Sequence, residues 1–275
     1  IGTSTVVYTI TETASGQSWE CSFTVTVVDE QVPVIDECPP AIAQNTNSGE
    51  CTAEITLTLP TVSDNCTSTP TLTYRVFNPD NSISGPFGSV SNTYVFKPGY
   101  SQVEWTVADQ YGNTTTCLQE VAITDTENPV ISCAGGSPFT RSNTLGVCGY
   151  IVDGDEFDAT ATDNCGDVVL THDFAPYSPH TLAGATFPIG TTTVTWTAVD
   201  AAGNTSTCAI TVTVTDDESP SFVNCPSEET FTVSLFDGDC EGGAIWSIPI
   251  AEDNCEVTVT QVEGPVLGAT LTVGI

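Results

Sequence analysis

The sequence predicts an all-β chain of tandem, disulfide-stabilised sandwich repeats. Three observations carry that expectation: strand-period alternation throughout, twelve regularly spaced cysteines, and self-similarity at a period of about ninety residues. Alternation is clearest where Cys208, Ile210, Val212 and Val214 interleave with Ala209, Thr211, Thr213 and Thr215. Cys21, Phe23, Val25 and Val27 interleave with Ser22, Thr24 and Thr26 in the same way. One apolar face and one threonine face describe a half-buried strand. Val194 and Trp196 continue the pattern one strand earlier, and the turn Asp200–Asn204 joins the two as a hairpin. No segment carries a convincing 3.6-residue period.

Self-comparison sets the boundaries. Val25–Pro33, Val121–Pro129 and Val212–Pro220 align, with their prolines 96 and 91 residues apart. Each is followed by Cys38, Cys133 or Cys225, then by Cys51, Cys148 or Cys240, then by an Asp-Asn-Cys triplet ending at Cys66, Cys165 or Cys255. Two copies continue through Trp105, Asp109 and Gly112-Asn113 to Cys117, and through Trp196, Asp200 and Gly203-Asn204 to Cys208. Residues 33–127 and 128–218 are therefore read as complete repeats, 1–32 as the C-terminal part of a preceding one, and 219–275 as the N-terminal part of a following one. Short strands with a turn signal every 8–12 residues or so point to an immunoglobulin-like sandwich in each copy. Without a methionine or a signal peptide, the chain is expected to be a window cut from a longer array.

Charge narrows the function. Thirty-five acidic residues stand against three basic ones, a formal charge of -32. Nucleic acid and anionic membrane are excluded as default partners, because both need Lys and Arg. No apolar run reaches the roughly 20 residues of a membrane-spanning helix. Hydrophobic residues at 39% leave a core to bury, so disorder is also excluded. An even cysteine count without a Cys-x-x-Cys pair reads as a disulfide framework formed outside the reducing cytosol, and not as a zinc site. Catalysis finds no motif: His172 and His180, the only histidines, are placed in one variable loop region with His172-Asp173 exposed, and Asp153, Asp155 and Glu156 are taken as a solvated strand end or a loop metal ligand. The chain is not expected to be an enzyme.

The Cys-Pro starts (Cys38-Pro39, Cys225-Pro226), the Asp-Asn turn, the run Phe187–Asn204 and the closing Cys-x-Ile/Phe-x-Val-x-Val resemble the hyalin repeat, or HYR domain. The resemblance extends over essentially the whole chain. It implies an immunoglobulin-like fold, an extracellular or cell-surface location and a role in adhesion, with neighbouring repeats and a cell-surface glycan or protein as partners. The four-cysteine variant resembles arrays in large secreted bacterial proteins. Residues 67–100 depart from the pattern through extra length, and Ala134 replaces the proline after Cys133.

Four cysteines per repeat allow three pairings, and the sequence does not choose among them. Relatives with two cysteines keep the first and fourth, which favours Cys38–Cys117 and Cys133–Cys208. Cys51–Cys66, Cys148–Cys165 and Cys240–Cys255 then remain, and Cys21 and Cys225 lack partners in the window. Each of these two pairs with a cysteine beyond the window or, in a fibre subunit completed by its neighbour's strands, Cys225 pairs with Cys21 of the next copy.

In an immunoglobulin-like sandwich the preceding linker, the loop after the second strand and the last hairpin loop meet at one end. The acids fall on those segments: Asp29, Glu30, Asp64 and Asp109 at one junction; Asp125, Glu127, Asp163 and Asp200 at the next; Asp216, Glu218 and Asp253 at the third. Carboxylates with Asn and backbone carbonyls suit Ca²⁺, whereas Asp and Asn also serve turns for purely local reasons. Both readings stay open. Asn65, Asn113 and Asn204 match the N-glycosylation pattern but belong to the same turns. A stalk or filament with calcium-stiffened joints is the leading expectation, against a carbohydrate- or partner-binding accessory module built on the aromatic-rich stretch Tyr74–Tyr100.

Overall fold

The structure, a computed structural model, describes residues 2–88, 92–225, 241–243 and 246–272. The described residues are all β, with no helix. They divide into two compact units. The first comprises Ile1–Glu127, Asn164–Gly166 and Ala201–Asn204; the second comprises Asn128–Asp163, Asp167–Asp200 and Thr205–Ile275.

The first unit begins with a hairpin of β1 (Gly2–Thr11) and β2 (Ser18–Val27). Then follow β3 (Val34–Ile35), β4 (Ile42–Asn45), β5 (Ala53–Thr56), β6 (Val62–Ser63), β7 (Thr71–Phe77), β8 (Ile83–Gly88), β9 (Thr93–Phe96), β10 (Gly99–Ala108) and β11 (Thr114–Thr124). One sheet has the order β4-β11-β10-β7-β8, with β4 parallel to β11. The pairs β3-β6 and β5-β9 supply the other strands. Ala53 and Ile55 of β5 pack with Tyr74, Val76, Val103, Trp105, Val121 and Ile123 of the large sheet in one buried cluster, which makes the repeat a sandwich. Strand alternation dictates that core: Val103, Trp105 and Val107 are fully buried, and the residues between them are half-exposed.

The extra length at 67–100 becomes β8, a fifth strand at the sheet edge, joined to β7 with a register shift between Tyr74 and Val76. Its aromatics are mostly core. Tyr74 and Phe96 are buried, Phe87 and Tyr94 pack against them, and Tyr100 alone of the set is exposed. An aromatic binding strip therefore has little to stand on here.

The second unit repeats the plan with β12 (Val130–Ser132), β13 (Phe139–Ser142), β14 (Tyr150–Ile151), β15 (Thr160–Thr162), β16 (Val169–His172), β17 (Thr186–Phe187), β18 (Gly190–Val199) and β19 (Thr205–Thr215). The main sheet runs β13-β19-β18-β16, again with a parallel first pair, and β12-β15 and β14-β17 complete it. Its core gathers Phe157, Leu182, Phe187, Val194, Trp196, Ile210 and Val212. The unit continues into β20 (Ser221–Phe222), β21 (Glu241–Gly243), β22 (Ala251–Glu252) and β23 (Thr270–Thr272). Each unit thus has its own core.

In each hairpin an aromatic side chain pairs with the cysteine of the following strand. Tyr8 faces Cys21, Trp105 faces Cys117, and Trp196 faces Cys208. Both tryptophans are inaccessible and hydrogen-bonded, Trp105 Nε1–H to Gln119 Oε1 and Trp196 Nε1–H to the Phe157 carbonyl, each at 3.2 Å. The expectations for His172 and Glu156 are corrected, whereas His180 is exposed in the loop after β16. His172 ends β16 with its ring edge-on to Trp196, and both histidines hold backbone groups of the 170–181 segment. Glu156 is no solvated strand end, because it accepts from Arg141 at 2.8 Å and from the Tyr150 hydroxyl.

Among the described residues four disulfides are formed. Cys38–Cys117 and Cys133–Cys208 tie the segment before β4 or β13 to β11 or β19, with Cα–Cα separations of 6.0 and 5.9 Å. The remaining expectations are overturned: Cys51 bonds Cys165, and Cys148 bonds Cys255. Cys240 lies outside the described residues, and Cys66, Cys21 and Cys225 are free and exposed. Geometry explains why Cys51 does not reach Cys66. Cys51 lines a cleft with Pro98 and Gly99 at the start of β10, whereas the Cys66 carbonyl accepts from Gln110 just past the end of that strand. Ten residues of extended chain span roughly 30 Å, several times the Cα separation a disulfide tolerates.

Candidate functional site, the acidic turn cluster and the disulfide joints

The first unit brings three predicted acids together. Asp29 lies in the linker before β3, Asp64 in the turn after β6, and Asp109 just past β10; one carboxylate oxygen from each falls within 4.8 Å of the others. Local chemistry places each. Asp29 Oδ1 accepts the Gln31 N–H, and Asp64 Oδ2 accepts the N–H groups of Cys66 and Thr67 at 2.8 and 2.6 Å. Asp109 Oδ1 accepts those of Tyr111 and Asn113, each at 2.8 Å. These are the Asx turns that Asp favours. Gly112 enters the left-handed region at φ +96° to close the hairpin.

The turns consume only part of the carboxylates. Asp29 Oδ2 and Asp64 Oδ1 are buried and have no hydrogen-bond partner. Asn113 ties the cluster, its amide donating to the Asp29 carbonyl at 3.1 Å and to Asp109 Oδ2 at 2.7 Å. Desolvation pushes the Asp109 carboxyl up. The Asn113 side chain and the backbone N–H groups of Asn113, Tyr111 and Gly112 outweigh it and hold the group below its ordinary value. Beside them, partial desolvation and the Asp29 and Asp64 carboxylates raise the Cys66 thiol.

The other predicted ligands distribute differently. Glu30 is exposed and outside the cluster. Glu127 lies outside that cluster and caps a turn: its carboxylate accepts from the Ser48 hydroxyl at 2.9 Å and from the Gly49 N–H at 2.8 Å. Glu218 does the same in the second unit, accepting from the Asn143 amide and the Gly146 N–H at 2.7 Å. Sequence spacing contained this signal, since both glutamates follow their linker Asp by two residues and position 31 of the first linker is Gln. Asp125 is buried, and its Oδ1 accepts the Glu127 N–H at 3.1 Å. Asp163 and Asp200 belong to the second unit, and Asp200 is buried there. Asp216 accepts from Glu218 N–H and from the Asn254 amide, and neither it nor Asp253 joins a three-acid cluster among the described residues.

The asparagines of the glycosylation patterns are largely committed. The Asn113 and Asn204 amides donate to the Asp29 and Asp125 carbonyls, whereas Asn65 is exposed. Sequence reasoning missed a second role for the Asp-Asn-Cys triplets. The Asn164 amide donates to the Glu50 carbonyl and the Asn254 amide to the Val147 carbonyl, each at 3.1 Å and each beside a disulfide.

Residues 124–214 match the HYR domain family. Hyalin of Lytechinus variegatus is 33% identical over 257 residues, 92% of this chain and 44% of that protein. Hyalin of Strongylocentrotus purpuratus is 32% identical over the same share of this chain and 19% of its own length. The chain therefore spans less than half of these relatives. They come from animals, and not from bacteria as the four-cysteine spacing suggests. Among solved structures, Sidekick-1 immunoglobulin domains 1–4 are 10% identical, over 75% of this chain and 57% of that one, with a TM-score of 0.37.

Proposed function

This chain belongs to the HYR, or hyalin-repeat, family, and from that premise we propose that it is a structural, adhesive segment of a long extracellular repeat protein. The observation that carries the reading is the pair of disulfides Cys51–Cys165 and Cys148–Cys255, which join the sequence of one repeat to that of the next. Together with Cys38–Cys117 and Cys133–Cys208 they form overlapping loops, so that the covalent path between the ends is far shorter than the chain. Such cross-linking suits a tension-bearing spacer outside the reducing cytosol. The pairing of both histidines with backbone groups supports a non-catalytic role.

Single-molecule stretching tests the mechanical reading. Oxidised protein should release only a small part of its contour length, and reduction should raise the release several-fold. Equal extension before and after reduction excludes a disulfide-carried load.

Calcium at Asp29, Asp64 and Asp109 is part of the proposal. Ca²⁺ takes six to eight or so oxygen ligands, and the two buried carboxylate oxygens without a partner are what such an ion would satisfy. Like charges this close repel unless a cation sits among them. Saturating Ca²⁺ should raise the melting temperature of the first unit over that in chelator. A hundredfold excess over the dissociation constant stabilises by about 2.7 kcal/mol. Asp64→Asn should remove most of the difference. Identical melting curves with and without chelator, and no calcium by atomic emission, sink the metal reading while leaving the mechanical one standing.

A further inference from the structure

The two disulfides that cross repeat sequences share a complete recognition geometry. In each, an Asn-Cys pair grips the two residues ending a Gly-x-Cys turn. Asn164 and Cys165 hold Glu50 and Cys51; Asn254 and Cys255 hold Val147 and Cys148. The asparagine amide takes the carbonyl just ahead of the gripped cysteine, and the sulfurs bond with Cα atoms 4.6 and 4.7 Å apart. The gripped turns match as well. Gly49 and Gly146 lie at φ +73° and +72°, a conformation natural to glycine, and Glu127 and Glu218 hold them from the repeat's own linker.

A third Asp-Asn-Cys triplet, Asp64-Asn65-Cys66, has the same gripping residues with nothing between them. Cys66 is free and exposed, and among the described residues the Asn65 amide makes no hydrogen bond. Its backbone is already set, because Asp64 caps the Cys66 and Thr67 N–H groups and Gln110 holds the Cys66 carbonyl. The other exposed thiols lack this setting. Cys21 follows Glu20, and Cys225 follows an Asn224 whose side-chain oxygen is engaged by the Ile250 N–H.

We propose that Asn65–Cys66 is a covalent docking site for a Gly-x-Cys turn of another HYR repeat, Asn65 taking the carbonyl and Cys66 the sulfur. The inference rests on the stapled-array reading and deepens it. Each of the three segments with an Asp-Asn-Cys triplet also carries a Gly-x-Cys sequence, at 49–51, 146–148 and 238–240. The contact is heterologous and head-to-tail, so it gives the array a direction.

The probe is a peptide of residues 44–52 with its cysteine carried as a mixed disulfide with glutathione. The Cys66 thiolate attacks the peptide sulfur, the new S–S bond forms, the old one breaks, and glutathione leaves as thiolate; no net oxidation occurs. With the full chain, peptide mapping should find the ratio of Cys66 to Cys21 or Cys225 modification about tenfold higher with this peptide than with glutathione disulfide alone, the worth of roughly one hydrogen bond. Asn65→Ala, an exposed turn position, should erase that preference while leaving modification by glutathione disulfide alone unchanged. The same ratio among the three thiols with the peptide as with glutathione disulfide alone, or an unaltered Asn65→Ala variant, overturns the proposal. In native material the fragment bonded to Cys66 should contain Gly-x-Cys. Non-reducing electrophoresis then shows whether it comes from the same polypeptide or from a second one, and any other partner, or a persistent thiol, overturns the proposal. Failure here with normal stretching behaviour would remove the docking site and spare the mechanical function.

Discussion

Serine at both Cys133 and Cys208 lowers the unfolding free energy of the second repeat by about 4 kcal/mol. The bond closes a loop with a sequence separation of 75, and in the chain-entropy account cross-links of this span restrict the unfolded ensemble by roughly that amount. Cys208 lies opposite Trp196 in the β18–β19 register, so the cross-link also fastens the segment ahead of β13 against the edge of the core. Urea unfolding followed by tryptophan fluorescence reads the loss as a lower midpoint with a somewhat steeper slope, because the unfolded chain without the cross-link exposes more surface. The Cys148→Ser, Cys255→Ser variant is the control. Its bond runs from the second repeat to the segment that follows, outside the cluster around Trp196, so the midpoint of that repeat should move far less. Equal losses from the two variants contradict a division between repeat-closing and repeat-joining bonds.

Trp105→Ala in the first repeat costs about 3–5 kcal/mol, the range for emptying a large aromatic site in a core that collapses only partly. Trp105 is inaccessible and packs against Tyr74 with ring centroids 5.1 Å apart. The substitution also strands a buried polar group. Gln119 is 1% exposed, accepts the Trp105 N–H, and donates to the Pro40 carbonyl at 2.8 Å. Removing the indole leaves Gln119 Oε1 buried without its donor, which adds a desolvation penalty to the cavity. Trp105→Ala with Gln119→Leu should therefore cost less than the two single changes added together. Strict additivity in thermal unfolding would mean that the hydrogen bond contributes nothing. Trp196→Ala opens a comparable cavity and leaves the Phe157 carbonyl without its donor, so a loss in the same range is expected.

The hairpins and the inward tryptophans were readable directly, because strand alternation has a period of two. Val194, Trp196, Ile210 and Val212 are buried as their pattern demands. The acids were harder. Asp29, Asp64 and Asp109 meet because three turns converge at one end of the sandwich, a consequence of strand order that the motif positions already implied. Glu127 and Glu218 look identical to those acids in composition, but each turns back to hold a loop of its own repeat.

Sequence by itself determined the period, the strands, the core faces and the identity of the cysteines, since all of these are local or periodic properties. Only tertiary structure decided which cysteines join. Cys51 and Cys66 are 15 residues apart in the chain yet lie toward opposite ends of β10, whereas Cys51 and Cys165, 114 residues apart, are brought within a 4.6 Å Cα separation. A disulfide depends on distance in space, and in a sandwich that distance is set by the length of a strand and not by the number of residues between two sulfurs.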